Sequence, residues 1–264
     1  MSTFNQNLVT KFPAEAVNMY MIYLASNQDT KYQMNLYLRK EKFISGGTAL
    51  AKLALDTAST RERIAMVKEA SRVYGLGKES MFQKASADEY ADLLSEQERL
   101  RNNYNSYDVA PESSSITNTI SSVIRYAGTK PREAHKLFAD AERLAKRYKV
   151  PEKRLWHIKV RAFSQSGQWA NLRNLADSRQ KNPIGLKPFA LAAIAGNQPL
   201  AEITRYIERV PADDRFDLFC EAKMWKKALE EAVVARDINK IMHVRGLCNS
   251  LEIQQRCDTA ANSI

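Results

Sequence analysis

The sequence predicts an all-α protein, an α-solenoid of stacked antiparallel helix pairs. Three observations predict it. Only 9 of the 264 residues are glycine, while Ala, Leu, Lys, Glu, Arg and Gln are plentiful, and these side chains lose little entropy on a helical surface. The eight prolines punctuate the chain as helix starts. An acid follows most of them within three residues, where it meets the positive end of the helix dipole. Between the prolines, apolar residues recur at steps of three and four, and no alternating run bounded by turn residues suggests a strand.

In chain order, residues 14–26, 30–40 and 48–58 carry helical patterning, with Gly46-Gly47 as a break. From 61 to 100 no proline occurs. Phe82, Ser86, Tyr90, Leu93, Gln97 and Leu100 approximate a heptad seam, so this stretch predicts a long helix or a helical hairpin, with Gly75 and Gly77 at its kink or turn. Residues 1–100 are thus an N-terminal helical segment. Residues 101–115 are polar and rich in turn formers, which predicts a linker or exposed loop, with Ser113–Ser115 capping the next helix.

From 116 to 249 the sequence predicts a C-terminal α-solenoid that binds a partner. Ala134, Leu137, Phe138, Ala141, Leu144, Ala145 and Tyr148 form one helical face. Leu155, Ile158, Ala162 and Phe163 form another, as do Leu200, Ile203, Tyr206, Ile207 and Val210, then Trp225, Ala228, Leu229, Ala232 and Val233. Runs of this length joined by short connections are what antiparallel helix pairs require, and so many short helices cannot share one core. Residues 250–264 are left as a tail.

The formal charge is +10, and 130–161 concentrates it: eleven Lys/Arg against four acids, a net +7. Such a window is either a solvated helical face or an attractor for nucleic acid, anionic lipid or an acidic protein. No apolar run reaches the roughly 20 residues of a membrane span, and no secretory leader is apparent. Three scattered cysteines and three histidines match no zinc site and suit a reducing compartment, so a cytoplasmic protein with no metal and no cofactor is expected.

Chemistry-bearing motifs are absent. Gly75-Leu-Gly-Lys78 lacks the earlier glycine of a phosphate loop, where Arg72 stands, and Glu79 replaces the metal-binding hydroxyl. The adjacent acids Asp213-Asp214 and Glu230-Glu231 diverge around a helix, His157 reads as structural, and no Ser, Cys or Thr has a nucleophile's surroundings. Trp156, Trp169 and Trp225 could stack on bases, but Trp156, Val160 and Phe163 share one helical stripe, which predicts core. The expectation is a protein without catalytic activity.

The run Val150-Pro-Glu-Lys-Arg-Leu-Trp156 resembles one in the C-terminal domain of the vacuolar protein sorting 16 family. There it opens a helix leading to a tryptophan, here Trp169, followed by a connector matched by Lys181-Asn-Pro-Ile-Gly185 and Pro188-Phe189. Ala235–Asp237 resembles the family's end of a helix, where the arginine faces a partner. Weaker likeness runs upstream through PAEAVNMYMIYL and YQMNLYLRKEKF, so the resemblance covers 12–246. His157 replaces a usual aromatic, 61–115 matches only in helical character, and the family's β-propeller is absent.

The resemblance implies a non-catalytic subunit of the homotypic fusion and protein sorting tether (HOPS) or its endosomal counterpart (CORVET). Such a subunit holds the Sec1/Munc18-type protein vacuolar protein sorting 33 for SNARE assembly at late endosomes, lysosomes or vacuoles. It implies membrane association through the complex, other tether subunits as partners, and no nucleic acid. The partner surface is expected on the helices between 183 and 245, with Ile184, Gly185, Phe189, Arg205, Arg209, Arg236 and Asp237 as its residues. Two alternatives stay open: a paralogue like spermatogenesis-defective 39 in the same pathway, and a helical-repeat RNA-binding protein using 130–161.

Overall fold

The computed structural model describes residues 37–38, 41–178 and 182–263. The helix expected over 14–26 lies outside the described residues, as does most of that over 30–40. Every regular element among the described residues is helical: thirteen α-helices and one 3₁₀ turn. The chain divides into two compact units, Met1–Ser114 and Ser115–Ile264.

In the first unit α1 (Phe43–Asp56) packs on α2 (Thr60–Tyr74), and α2 on α3 (Met81–Tyr104). The expected hairpin over 61–100 is α2 and α3, joined through Gly75–Gly77 and the 3₁₀ turn Lys78–Ser80. Gly46 and Gly47 do not break the chain but lie inside α1, both buried. A Cβ on Gly47 would fall 2.4 Å from the Tyr74 ring, so the missing side chain is what lets α1 approach α2. The heptad seam holds only in its second half. Leu93, Gln97 and Leu100 are buried, but Phe82 is 79% exposed, and α3 instead meets the core through Ala91 and Leu94, with Ala87 and Tyr90 beside them.

The stretch expected as a linker is folded onto this unit. Residues 101–104 belong to α3, and Val109 and Ala110 are buried. Two buried arginines hold the returning loop. Arg63 donates to Ser113 Oγ (2.9 Å), and Arg101 donates to the Ala110 carbonyl (3.1 Å). Gln97 donates to the Ser114 carbonyl at 2.8 Å. Polar residues here satisfy one another in the interior.

The second unit contains α4 (Ile116–Thr129), α5 (Ala134–Arg147), α6 (Glu152–Gln165), α7 (Trp169–Ala176) and α8 (Lys187–Ala195). It continues with α9 (Leu200–Ile207), α10 (Ala212–Glu221), α11 (Trp225–Val234), α12 (Ile238–Leu247) and α13 (Leu251–Ser263). Sequential helices pair as α4/α5, α6/α7, α8/α9, α10/α11 and α12/α13, and α4, α6, α8 and α10 also stack on one another. Contacts confined to neighbouring pairs define a solenoid. The residues after 249, which the periodicity leaves as a tail, form α13, packed on α12 and α11.

Local chemistry explains the helix ends. Pro151, Pro199 and Pro211 each sit immediately before a helix, and Pro188 lies in the first turn of α8, where a missing N–H costs nothing. Ser115 caps α4 by accepting from the Asn118 N–H (3.3 Å). Five turns close alike, with Lys149, Gly167, Asn197, Lys223 and Arg236 in the left-handed region. In each the next N–H bonds back five residues, as from Val150 to Ala145 (2.8 Å) and from Asp237 to Ala232 (3.1 Å). This closure satisfies helix-end carbonyls and reverses the chain.

Aromatic rings join successive pairs. Phe138 of α5 meets Phe163 of α6 edge-on at 5.8 Å between centroids. Trp156 of α6 meets Phe189 of α8 at 6.4 Å, and Phe216 of α10 meets His243 of α12 at 6.1 Å. Trp169 packs so closely on the end of α8 that a Cβ on Gly196 would lie 2.2 Å from its ring. On α6 the buried stripe is Trp156, Val160 and Phe163, with Leu155 and Ile158 only half-buried.

Candidate functional site

The residues expected to bind a partner lie on α8 to α12 and in the connector before them, and the structure gives them different roles. The connector at 182–185 closes on itself: Asn182 Oδ1 accepts from the Ile184 N–H (3.0 Å) and its Nδ2 donates to the Gly185 carbonyl (2.9 Å). Gly185 is exposed with φ +69°, and Ile184 is half-buried. Phe189 is fully buried, between Trp156 and Tyr206, whose ring centroid is 6.1 Å away. It is a core residue and cannot touch a partner directly; the sequence order of Pro188-Phe189 does not reveal that the ring turns into the stack.

Arg205, on the exposed side of α9, and Arg209, in the turn that follows it, lie off the buried stripe of Ile203, Tyr206 and Ile207. Both reach back to Asp177 at the end of α7: Arg205 pairs with one carboxylate oxygen and Arg209 with the other at 2.7 Å. Beside them Arg173 of α7 pairs with Glu202 of α9 at 2.9 Å, and the Tyr206 hydroxyl donates to Glu202 (2.8 Å). Burial raises the Glu202 carboxyl, but the hydrogen bonds from Arg173 and Tyr206 outweigh it, and its pKa lies below the ordinary value. These arginines clamp α9 to α7 within the chain. Leu200, expected to face inward, is exposed.

Arg236 and Asp237 form the turn between α11 and α12. Asp237 caps α12, its carboxylate accepting from the N–H groups of Asn239 (3.0 Å) and Lys240 (3.2 Å), which assigns it to the fold. Arg236 is exposed at φ +52° and has no ion pair among the described residues. Of the seven expected residues it is the cation free to meet another molecule.

From α11 to the start of α13 the structure exposes apolar side chains that the sequence reading did not single out. Val234, just before Arg236, is 84% exposed. Ile238 and Met242, one turn apart on α12, are about half exposed, as is Leu247, and Leu251 opens α13 exposed. Leu229, Val233 and Val234 of α11 and Gln255, Arg256 and Thr259 of α13 line an open groove of about 810 Å³. One signal was available: α12 buries Ile241 and Val244 yet places Ile238 and Met242 off that stripe, so it is apolar on more than its core face.

The described residues offer little for covalent or metal chemistry. Burial, with the charge of Asp217, pushes the Cys220 thiol up to about 11, and burial raises Cys257 as well, so neither is a thiolate at neutral pH. No group of three His, Cys, Asp or Glu is arranged to hold a metal ion among them. No helix among them is long and apolar enough to cross a membrane.

The chain is similar to known proteins along most of its length. The chain is 26% identical over 192 residues to a vacuolar protein sorting-associated protein 16 homolog of Drosophila melanogaster, covering 73% of this chain and 21% of that protein. It is 24% identical over 233 residues to a probable homolog of Schizosaccharomyces pombe, covering 87% of this chain and 26% of that one. The matches thus span about a fifth to a quarter of these relatives. The family described as Vps16, C-terminal region matches residues 1–263. The chain belongs to this Vps16 C-terminal family.

Proposed function

We propose that the chain is a non-catalytic scaffold of a membrane-tethering complex of the HOPS or CORVET kind, acting in vacuolar protein sorting. Its last helical pairs hold a Sec1/Munc18-type protein, vacuolar protein sorting 33, in support of SNARE-mediated fusion. The protein works in the cytoplasm, at the surface of late endosomes, lysosomes or vacuoles. One observation carries the reading: Arg236, with no ion pair among the described residues, lies within six residues of exposed Val234, Ile238 and Met242. An arginine within apolar surroundings is the composition of an interface hot spot.

Family membership supports the class of partner, and capture of purified vacuolar protein sorting 33 tests it. Arg236→Glu should cost roughly 2–5 kcal/mol of binding, the range for a desolvated charge contact. Arg236→Gly should lose binding while the fold gains up to about 1 kcal/mol, because glycine is unstrained in the left-handed region. A folded Arg236→Glu protein with unchanged affinity, or no capture by the parent chain, would overturn the proposal. A chain that captures only the second form of the partner would belong to the pathway of the spermatogenesis-defective 39 paralogue.

A further inference from the structure

The turn joining α5 to α6 is the most densely cationic surface of the second unit. Five of the nine residues from Lys146 to Arg154 are Lys or Arg, all exposed, against the single acid Glu152. Along α6 the exposed side chains of Lys153, His157 and Arg161 follow at steps of four, so they form one stripe running from the turn.

What distinguishes this edge is how many of its cations form no ion pair among the described residues. In the later pairs several cations are matched within the chain: Arg173 with Glu202, Lys187 with Asp214, Lys227 with Glu208 and Arg245 with Asp258. Near the patch, Asp140 and Glu142 are occupied by Arg143 and Lys159. Lys146, Lys149, Lys153, Arg154 and Arg161 have no ion pair among the described residues. A self-contained solvated face mixes its charges; this one leaves five cations unmatched on one edge.

The aromatic side chains decide between kinds of anion. Single-stranded nucleic acid is held by a basic groove with rings on which bases stack. On α6 the rings point the other way, since Trp156 and Phe163 are buried in the stack. Leu155 and Ile158 are half-buried, leaving no exposed apolar wedge on the helix. Long, unpaired cations on an exposed edge match an anion whose charge is spread over a plane.

We propose that the α5–α6 edge docks directly on an anionic lipid surface, by electrostatic attraction without insertion. This contact is separate from the proposed partner site on α11 to α13. It would add a direct attachment to one made through the complex. Each Lys or Arg near an anionic bilayer contributes about five-fold to partitioning, and the attraction decays over about 10 Å at 0.1 M salt.

The test is co-sedimentation of the full chain with vesicles of phosphatidylcholine alone, or of phosphatidylcholine with phosphatidylserine, at low and high salt. The expected result is binding to the anionic vesicles only, reversed by salt. Lys153→Glu with Arg154→Glu should lower it at least about twenty-five-fold, at about five-fold per cation removed. Acids suit the first turn of a helix, so this variant keeps the fold. Lys146→Gln with Lys149→Gly is a second variant, which relieves the left-handed backbone at Lys149 and should also bind less. Both variants should keep full capture of vacuolar protein sorting 33, which separates this contact from the partner site. Equal binding to neutral and anionic vesicles, or unchanged binding by both folded variants, would overturn the proposal. So would capture of a single-stranded RNA under salt conditions that release the vesicles.

Discussion

Phe189 is the sharpest probe of how the second unit is held together. Its side chain is fully buried, with ring centroids 6.4 Å from Trp156 and 6.1 Å from Tyr206. It therefore ties α6 to α8 and α8 to α9. Phe189→Ala removes the ring and leaves a cavity, a change that costs about 3–5 kcal/mol, of which the paired aromatic geometry is about 0.5–1.5 kcal/mol. For a unit of 150 residues, residues 115–264, each kcal/mol lowers the melting temperature by about 2–4 °C, so the expected loss is about 6–20 °C. Stability in a solenoid is a sum over neighbouring pairs, and weakening one interface should also broaden the transition. Thermal and urea melts followed by circular dichroism measure both effects. Phe189→Leu keeps most of the apolar volume and should be milder, with partner capture intact. A loss under about 1 kcal/mol for Phe189→Ala would refute its place in the core. So would a stable Phe189→Leu protein that no longer captures the partner.

Three further outcomes are expected. Gly47→Ala would stabilise α1 by about 1 kcal/mol if helix propensity decided, but the added Cβ meets the Tyr74 ring at 2.4 Å. Urea titration should instead show a loss of about 1–3 kcal/mol. Asp177→Ala releases both Arg205 and Arg209; these half-exposed pairs should cost about 0.2–1 kcal/mol each in melts at low salt, and less at high salt. The carboxyl of Glu202 is held below its ordinary pKa in the fold, so the unfolded chain binds its proton first as pH falls. The stability it contributes is present above the unfolded value of about 4.3 and is lost as pH drops through the folded value. Glu202→Gln should flatten that acid limb of the stability curve, and an unchanged limb would exclude the Arg173–Glu202–Tyr206 arrangement.

Much of the architecture was legible because it is local. Helical periodicity located α5, α6, α9 and α11, and Pro151, Pro199 and Pro211 mark helix starts through an effect confined to one turn. Ser115 acts as a cap for the same reason. Gly46-Gly47 misled because a glycine's intrinsic cost is also local, whereas its use here is a helix crossing with Tyr74, 27 residues on from Gly47. Polar residues 101–115 misled likewise, since composition cannot show that Arg63 and Arg101 wait to receive the loop.

The candidate surface divides along the same line. By itself the sequence determined that the protein is helical, that its stack is built of short pairs, and which family it resembles. It also separated Arg205 and Arg209 from the buried stripe of α9. Only the tertiary structure decided what those off-stripe residues meet. Asp177 lies 28 and 32 residues from them in the chain and engages both, while Arg236 and, at the α5–α6 turn, Lys146, Lys149, Lys153 and Arg154 form no ion pair among the described residues. Helical period gives the direction in which a side chain leaves its own axis, and the packing of one pair on the next determines what stands there.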